Sequence, residues 1–183
     1  MKKIIICLSI LISTITFSQQ SYYNDVDLNL TGTALKDALA TKIINTHTYF
    51  LTYTPDVWTA CKVTDVNPDN SAEVLLVYGY TASGTTARTS GINNNGGNNG
   101  NWNREHVYPK SLGTPNLGES GPGSDAHHLR PADKDWNSTR GNKKFVDGSG
   151  TASGSMNGGW FPGDEWKGDV ARMMMYMYLR YGN

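Results

Sequence analysis

Residues 103–144 gather the side chains that hydrolysis at phosphorus requires. Asn103, Arg104, Glu105 and His106 come first, then Asp125, His127, His128 and Arg130, then Asn137, Arg140 and Lys144. Three of the chain's four histidines fall in this stretch. Cutting a phosphodiester requires that a water lose a proton, that the crowded phosphorus be stabilised and that the leaving 3′ oxygen be neutralised. A neutral histidine suits the first task near physiological pH, which nominates His106 as general base. A hard divalent cation on oxygen ligands suits the other two, which nominates Glu105 and the Asn137 side chain as its holders. Two protein oxygens leave positions for water and the scissile phosphate, as magnesium prefers. Arginine contributes a planar fork for phosphate oxygens.

Charge supports a local rather than a global attraction for phosphate. The whole chain carries 16 basic and 16 acidic residues, whereas a protein held on nucleic acid by bulk electrostatics is strongly basic. Between Arg104 and Lys144, however, basic residues outnumber acids seven to five. Arg104 and Lys144 are thus candidate phosphate-binding residues. Asp125, His127 and His128 are read as supporting groups: one histidine orients the site through a hydrogen bond and the other packs or faces solvent. Asp125 and Asp133 are read as structural or capping.

The elements that must position these groups can be read from pattern. Residues 102–108 read as a strand halted by Pro109, on which alternation turns Glu105 and His106 to different sides. Leu129 and Arg130 close a second extended piece before Pro131. Residues 132–145 read as a helix with Pro131 where a missing amide proton is tolerated. On that helix Asp133, Asn137, Arg140, Gly141 and Lys144 share one side. The order is strand, loop, strand, helix.

Elsewhere, residues 33–48 show Leu35, Leu39 and Ile43 at helical spacing, with His47 at the helix end. Residues 73–80 are a dense apolar run, read as a buried strand. Residues 90–101 are almost wholly Gly and Asn, which predicts a mobile surface loop. A second Gly/Ser-rich stretch, 147–159, precedes a C-terminal helix over 164–181. In that helix Val170, Met173, Met174, Met177 and Tyr178 recur as a core face. Trp102 and Trp136 are read as core.

The first 18 residues read as a signal peptide: Lys2-Lys3, an apolar run from Ile4 to Phe17, and small residues at the cut. The run is shorter than the roughly 20 residues a membrane span needs, so an exported protein with no membrane anchor is expected. Residues 19–183 then form one domain large enough for a core of its own. It retains one cysteine, Cys61, read as a small buried hydrophobe.

The segments NREHVYPKS, DAHHLRPAD and NSTRGNKKF resemble those of the bacterial endonuclease I family, as do LLVYGY before them and DEWKGDVARMMMYM after them. Members are secreted or periplasmic nucleases with a ββα-metal (His-Me finger) site. The resemblance covers most of the mature chain. It implies an α+β fold, helices packed around a small sheet with that finger forming the cleft. By motif, Glu105 resembles the metal-ligating acid, His106 the general base and Asn137 the second ligand. The catalytic arginine is left open between Arg130 and Arg140. The family's substrate is DNA, and often RNA, cut with little sequence preference using Mg2+ (or Mn2+ or Ca2+) to leave 5′-phosphates. A monomer is expected, and one short of the family's usual C-terminal extension.

Two other classes compete. A zinc hydrolase would use Glu105, His106, His127 and His128, but no HExxH-like spacing is present. A non-catalytic secreted binding domain would leave the clustered His, Glu, Asn and Arg without a task.

Overall fold

In a computed structural model, residues 21–182 are described; the signal-peptide segment lies outside them. The architecture is mixed α/β, with small antiparallel sheets flanked by helices. Helix α1 (Gly32–Thr46) is followed by α2 (Asp56–Thr64), then β1 (Val66–Asn67), β2 (Asn70–Leu75) and β3 (Thr89–Gly91), which form one sheet in that order. A separate two-stranded ribbon pairs β4 (Trp102–His106) with β5 (Leu129–Asp133), and α3 (Lys134–Arg140) leaves directly from β5. The hairpin β6 (Gly154–Met156) and β7 (Gly159–Phe161) precedes α4 (Lys167–Tyr181). Among the described residues no helix is long and apolar enough to cross a membrane.

The β4–β5 ribbon has a core on either side. Trp102 and Leu129 join Val57, Cys61, Val74 and Leu76 in one cluster. Ala132 joins Val77, Tyr78, Val107, Trp160, Trp166, Val170 and Met173 in the other. Strand alternation explains the division: Trp102, Arg104 and His106 take one face of β4, while Asn103 and Glu105 take the other. Trp102 is fully buried and Trp136 packs at the edge of the second cluster. Cys61 lies on the buried face of α2, and its thiol is pushed up to about 12, chiefly by burial.

Several boundaries differ from the expected ones. The strand predicted over 73–80 runs instead over Asn70–Leu75, because the next residues serve both cores. The Leu76 amide bonds the Arg88 carbonyl, and the Val77 amide crosses to the Pro131 carbonyl of the ribbon. Tyr78 takes a left-handed backbone (φ 71°). Gly79 follows where a Cβ would sit 2.2 Å from the Ala87 carbonyl oxygen, so no larger residue fits. The helix predicted over 132–145 starts two residues later and ends five earlier. Pro131 sits in β5 opposite Arg104; each strand of a two-stranded ribbon has a free edge, where a missing amide proton is tolerated. Asp133 caps α3, its Oδ1 accepting from the amides of Asp135 and Trp136 at 2.9 Å. Gly141 (φ 58°) ends the helix, so Lys144 lies beyond it.

Helix α2 occupies a segment whose sequence reads as mixed; Val57 and Cys61 are its buried i, i+4 pair. The Gly/Asn-rich loop is tied by backbone bonds, Asn94 to Gly91, Trp102 to Asn94 and Gly96 to Trp102. In α4, Val170, Met173 and Met177 are buried, but Tyr178 is 53% exposed. Asp164 and Glu165 precede α4 rather than form its first turn.

Candidate active site

Glu105 is 3% exposed, and its Oε1 receives both of its polar contacts: the Tyr78 hydroxyl donates at 2.9 Å and the Arg140 Nη1 lies at 3.0 Å. Burial pushes this carboxyl up to about 7, against the opposing pull of Arg140 and of the Tyr78 hydrogen bond. The Tyr78 hydroxyl is driven well above its ordinary value, first by burial and then by the adjacent carboxylate. Both bonds fall on Oε1, and Glu105 lines a cleft of about 460 Å³, so Oε2 is the oxygen available to that cleft.

His106 lines the same cleft from the next position. Its Nε2 lies 2.9 Å from the Gly123 carbonyl. A carbonyl only accepts, so Nε2 carries the proton and Nδ1 presents a lone pair. Burial pushes the imidazole down to about 4, outweighing the upward effect of the Gly123 bond, so the ring is neutral at physiological pH. Its face stacks on Tyr53 with centroids 5.6 Å apart and planes at 24°.

Asn137 reaches the cleft from α3. Its Nδ2 donates to the Asn103 Oδ1 at 2.7 Å, which turns the Asn137 carbonyl oxygen to the remaining space. Asn103 therefore orients the amide, a role that its place beside the Arg-Glu-His triplet does not announce.

The two arginines left open by sequence separate. Arg140 is 1% exposed beneath the cleft. Besides Glu105, it donates from Nη1 to the His106 carbonyl at 3.1 Å and from Nη2 to the Val107 carbonyl at 2.8 Å. Arg130 lies outside the cleft, its Nη1 3.5 Å from Thr64 Oγ1 and Asp65 Oδ2 at the end of α2. Besides the buried Arg140, the cations that line the cleft are Arg104 and Lys110. Arg104 is held between aromatic faces, its guanidinium carbon 3.6 Å from the Tyr53 ring centre and 4.1 Å from that of Trp58. It also donates to the Tyr53 carbonyl and to Thr54 Oγ1. Lys110 pairs with Glu119 at 3.4 Å on the exposed rim. Sequence reasoning missed Lys110, Tyr53 and Tyr78; the last two lie far away in sequence.

The supporting groups also divide. His128 is buried, with Nε2 2.7 Å from the Pro122 carbonyl and its ring 5.6 Å from that of His106. His127 lies away from the cleft, with Nδ1 3.0 Å from Asp125 and its ring stacked on Tyr176 at 4.2 Å. Asp125 is buried and also accepts from the hydroxyls of Tyr176 and Tyr181 at 2.8 Å. Burial would raise its carboxyl, but the bonds from His127, Tyr176 and Tyr181 prevail and hold it well below the usual range. Lys144 lies outside the cleft, at an adjoining cavity. The residues of a zinc site are thus dispersed. Among the described residues no group of three or more His, Cys, Asp or Glu is arranged to hold a metal.

Residues 31–183 match the family described as Endonuclease I. The chain is 46% identical over 168 residues to an extracellular ribonuclease of Bacillus subtilis (strain 168), and equally so to one of Bacillus amyloliquefaciens. Each alignment covers 88% of this chain and 54% of the relative, so the chain spans about half the length of these curated relatives. No solved structure matches it. By the extent of the family match and the identity to these relatives, the chain belongs to the endonuclease I family.

Proposed function

We propose that this protein is a secreted or periplasmic endonuclease that hydrolyses phosphodiester bonds of DNA and RNA with little sequence preference, leaving 5′-phosphates. The observation that carries this reading is a neutral imidazole with its Nδ1 lone pair free, beside a buried carboxylate and an oriented amide oxygen in one cationic cleft.

His106 Nδ1 takes a proton from a water held against phosphorus. The water oxygen bonds to phosphorus, the bond from phosphorus to the 3′ oxygen breaks, and that oxygen leaves as an alcohol after taking a proton from solvent. The Gly123 carbonyl stabilises the imidazolium that forms, as the orienting partner of a general base does. Arg104 and Lys110 face the phosphate oxygens. Arg140 acts from beneath by fixing Glu105 and the carbonyls of residues 106 and 107.

The donors fit a hard divalent cation, Mg2+ above all, with Mn2+ or Ca2+ as its substitutes. Glu105 Oε2 and Asn137 Oδ1 are oxygens whose neighbours satisfy the rest of each side chain, which suits an ion that keeps most of its ligands as water and phosphate. Such an ion, when bound, offsets charge on the phosphate and on the leaving oxygen. The ribbon β4–β5 followed by α3 has the element order of the ββα-metal finger, which supports that reading of the fold.

The test is a plasmid-nicking assay with Mg2+, with EDTA and with His106→Ala. Expected are Mg2+-dependent nicking and a loss of roughly two to four powers of ten in turnover for the variant. Cutting restored by Zn2+ alone, or wild-type rates in the variant, would overturn the proposal.

A further inference from the structure

We propose that the cavity beside the catalytic cleft is a subsite for one unstacked nucleobase of a single-stranded substrate. This deepens the nuclease reading and rests on it. The cavity has a volume of about 430 Å³ and shares Pro109 and Arg140 with the cleft as a common wall, so the two adjoin. Its walls are Tyr108, Leu112, Phe145 and Met174, all partly exposed. Phe145 and Met174 pack against the core cluster of Trp160 and Val170, the Arg140 guanidinium sits over the Phe145 ring 4.8 Å from its centre, and the remaining surface of both side chains lines the cavity. The core therefore accounts for one side of these side chains and not for the other.

The occupant follows from the neighbour. A strand whose phosphate sits at His106 carries a base within one nucleotide of that phosphate, and aromatic and apolar walls accept any base through its π-face. The Lys144 side chain stands exposed at the rim, with no ion pair or side-chain hydrogen bond among the described residues, where the next phosphate along the strand passes. A phosphate site, an apolar slot and a free cation in sequence match the alternation of a nucleic-acid strand. A duplex keeps its bases stacked inside and cannot fill the slot, whereas single strands and loops splay theirs. The cavity therefore favours single-stranded RNA or DNA over duplex.

The test uses the full chain with Mg2+ and a fluorescent single-stranded oligonucleotide, either intact or with one abasic position. Expected is a suppression of cutting at the bond on one fixed side of the abasic position, roughly five- to one-hundred-fold. Tyr108→Ala should raise KM on the intact strand by a similar factor, change kcat little and abolish the abasic effect. Tyr108→Phe should restore wild-type behaviour, and Leu112→Ala provides a second variant should Tyr108→Ala fail to fold. Uniform cutting around the abasic position, or folded variants that leave KM and the abasic pattern unchanged, would overturn the subsite. If the folded wild type cuts no intact strand, the nuclease reading itself fails and takes the subsite with it.

Discussion

Replacing Asp125 by alanine should destabilise this protein strongly, although Asp125 lies outside the cleft. Its two oxygens accept from the His127 amide and Nδ1, both at 3.0 Å, and from the hydroxyls of Tyr176 and Tyr181 at 2.8 Å. Arg180 Nε lies 3.4 Å away and is itself buried. Removing the carboxylate leaves a buried guanidinium without its counter-charge, a change that costs about 3–5 kcal/mol. For a chain of this size each kcal/mol moves the midpoint by roughly 2–4 °C, so Tm should fall by about 6–20 °C. Asp125→Asn keeps the volume and one acceptor and should lose roughly half as much, since charge-assisted bonds are about twice as strong as neutral ones.

Acid provides a control with a definite sign. The folded carboxyl is held below its usual value, so its contribution is complete above the unfolded value near pH ~4. It is lost as pH falls through the lower folded value. The gap between wild type and Asp125→Ala in thermal or urea melts should therefore be full at pH 7 and shrink in strong acid. A variant melting within about 2 °C of wild type at pH 7 would refute the reasoning, because that corresponds to no more than about 1 kcal/mol. The clamp also matters for the site: it anchors the segment whose Gly123 and Pro122 carbonyls hold His106 and His128.

Three further outcomes are expected. Glu105→Ala should weaken Mg2+ binding in calorimetry and regain part of its activity at high ion concentration, whereas His106→Ala should bind the ion normally; joint loss of binding would reverse the assigned roles. Tyr53→Ala should lower kcat about tenfold by freeing the His106 ring and Arg104, with Tyr53→Phe close to wild type, since a stacked pair contributes about 0.5–1.5 kcal/mol. Cys61 should resist thiol reagents in the native state at pH 8, because burial removes both access and thiolate; rapid native-state labelling would contradict the buried placement.

Legibility followed locality. The helices over 32–46 and 167–181 announce themselves by spacing, and β4 appears within two residues of its predicted span, because these signals lie inside the segment. Helix α2 was hidden: its buried pair, Val57 and Cys61, stands among Trp58, Ala60 and Val63, which spread apolar residues round the helix, so no single stripe is visible. At the start of α3 two signals competed, Pro131 for the first helical position and Asp133 for the cap. The cap prevailed because the Pro131 carbonyl is taken by Val77. Glu105, His106 and Asn137, singled out in the sequence, line one cleft, but their respective partners Tyr78, Gly123 and Asn103 come from other elements. Arg130 and Arg140 differ in burial and partners, which depend on how α2 and β4 lie against them.

Helix α3 has seven residues, far below the ~12–15 at which an isolated helix becomes marginal in water. Yet it is fastened at both ends, by the Asp133 cap at one and by Arg140 on the carbonyls of residues 106 and 107 at the other. Fraying from either terminus breaks a tie to the ribbon, so the helix cannot open as a unit of its own. In hydrogen exchange the Gly141 amide, bonded to the Asn137 carbonyl, should therefore be released together with the β4–β5 amides, on one timescale and with one dependence on denaturant. The carrier of the Asn137 oxygen then opens only with the ribbon, and any hinge motion of the cleft comes from elsewhere.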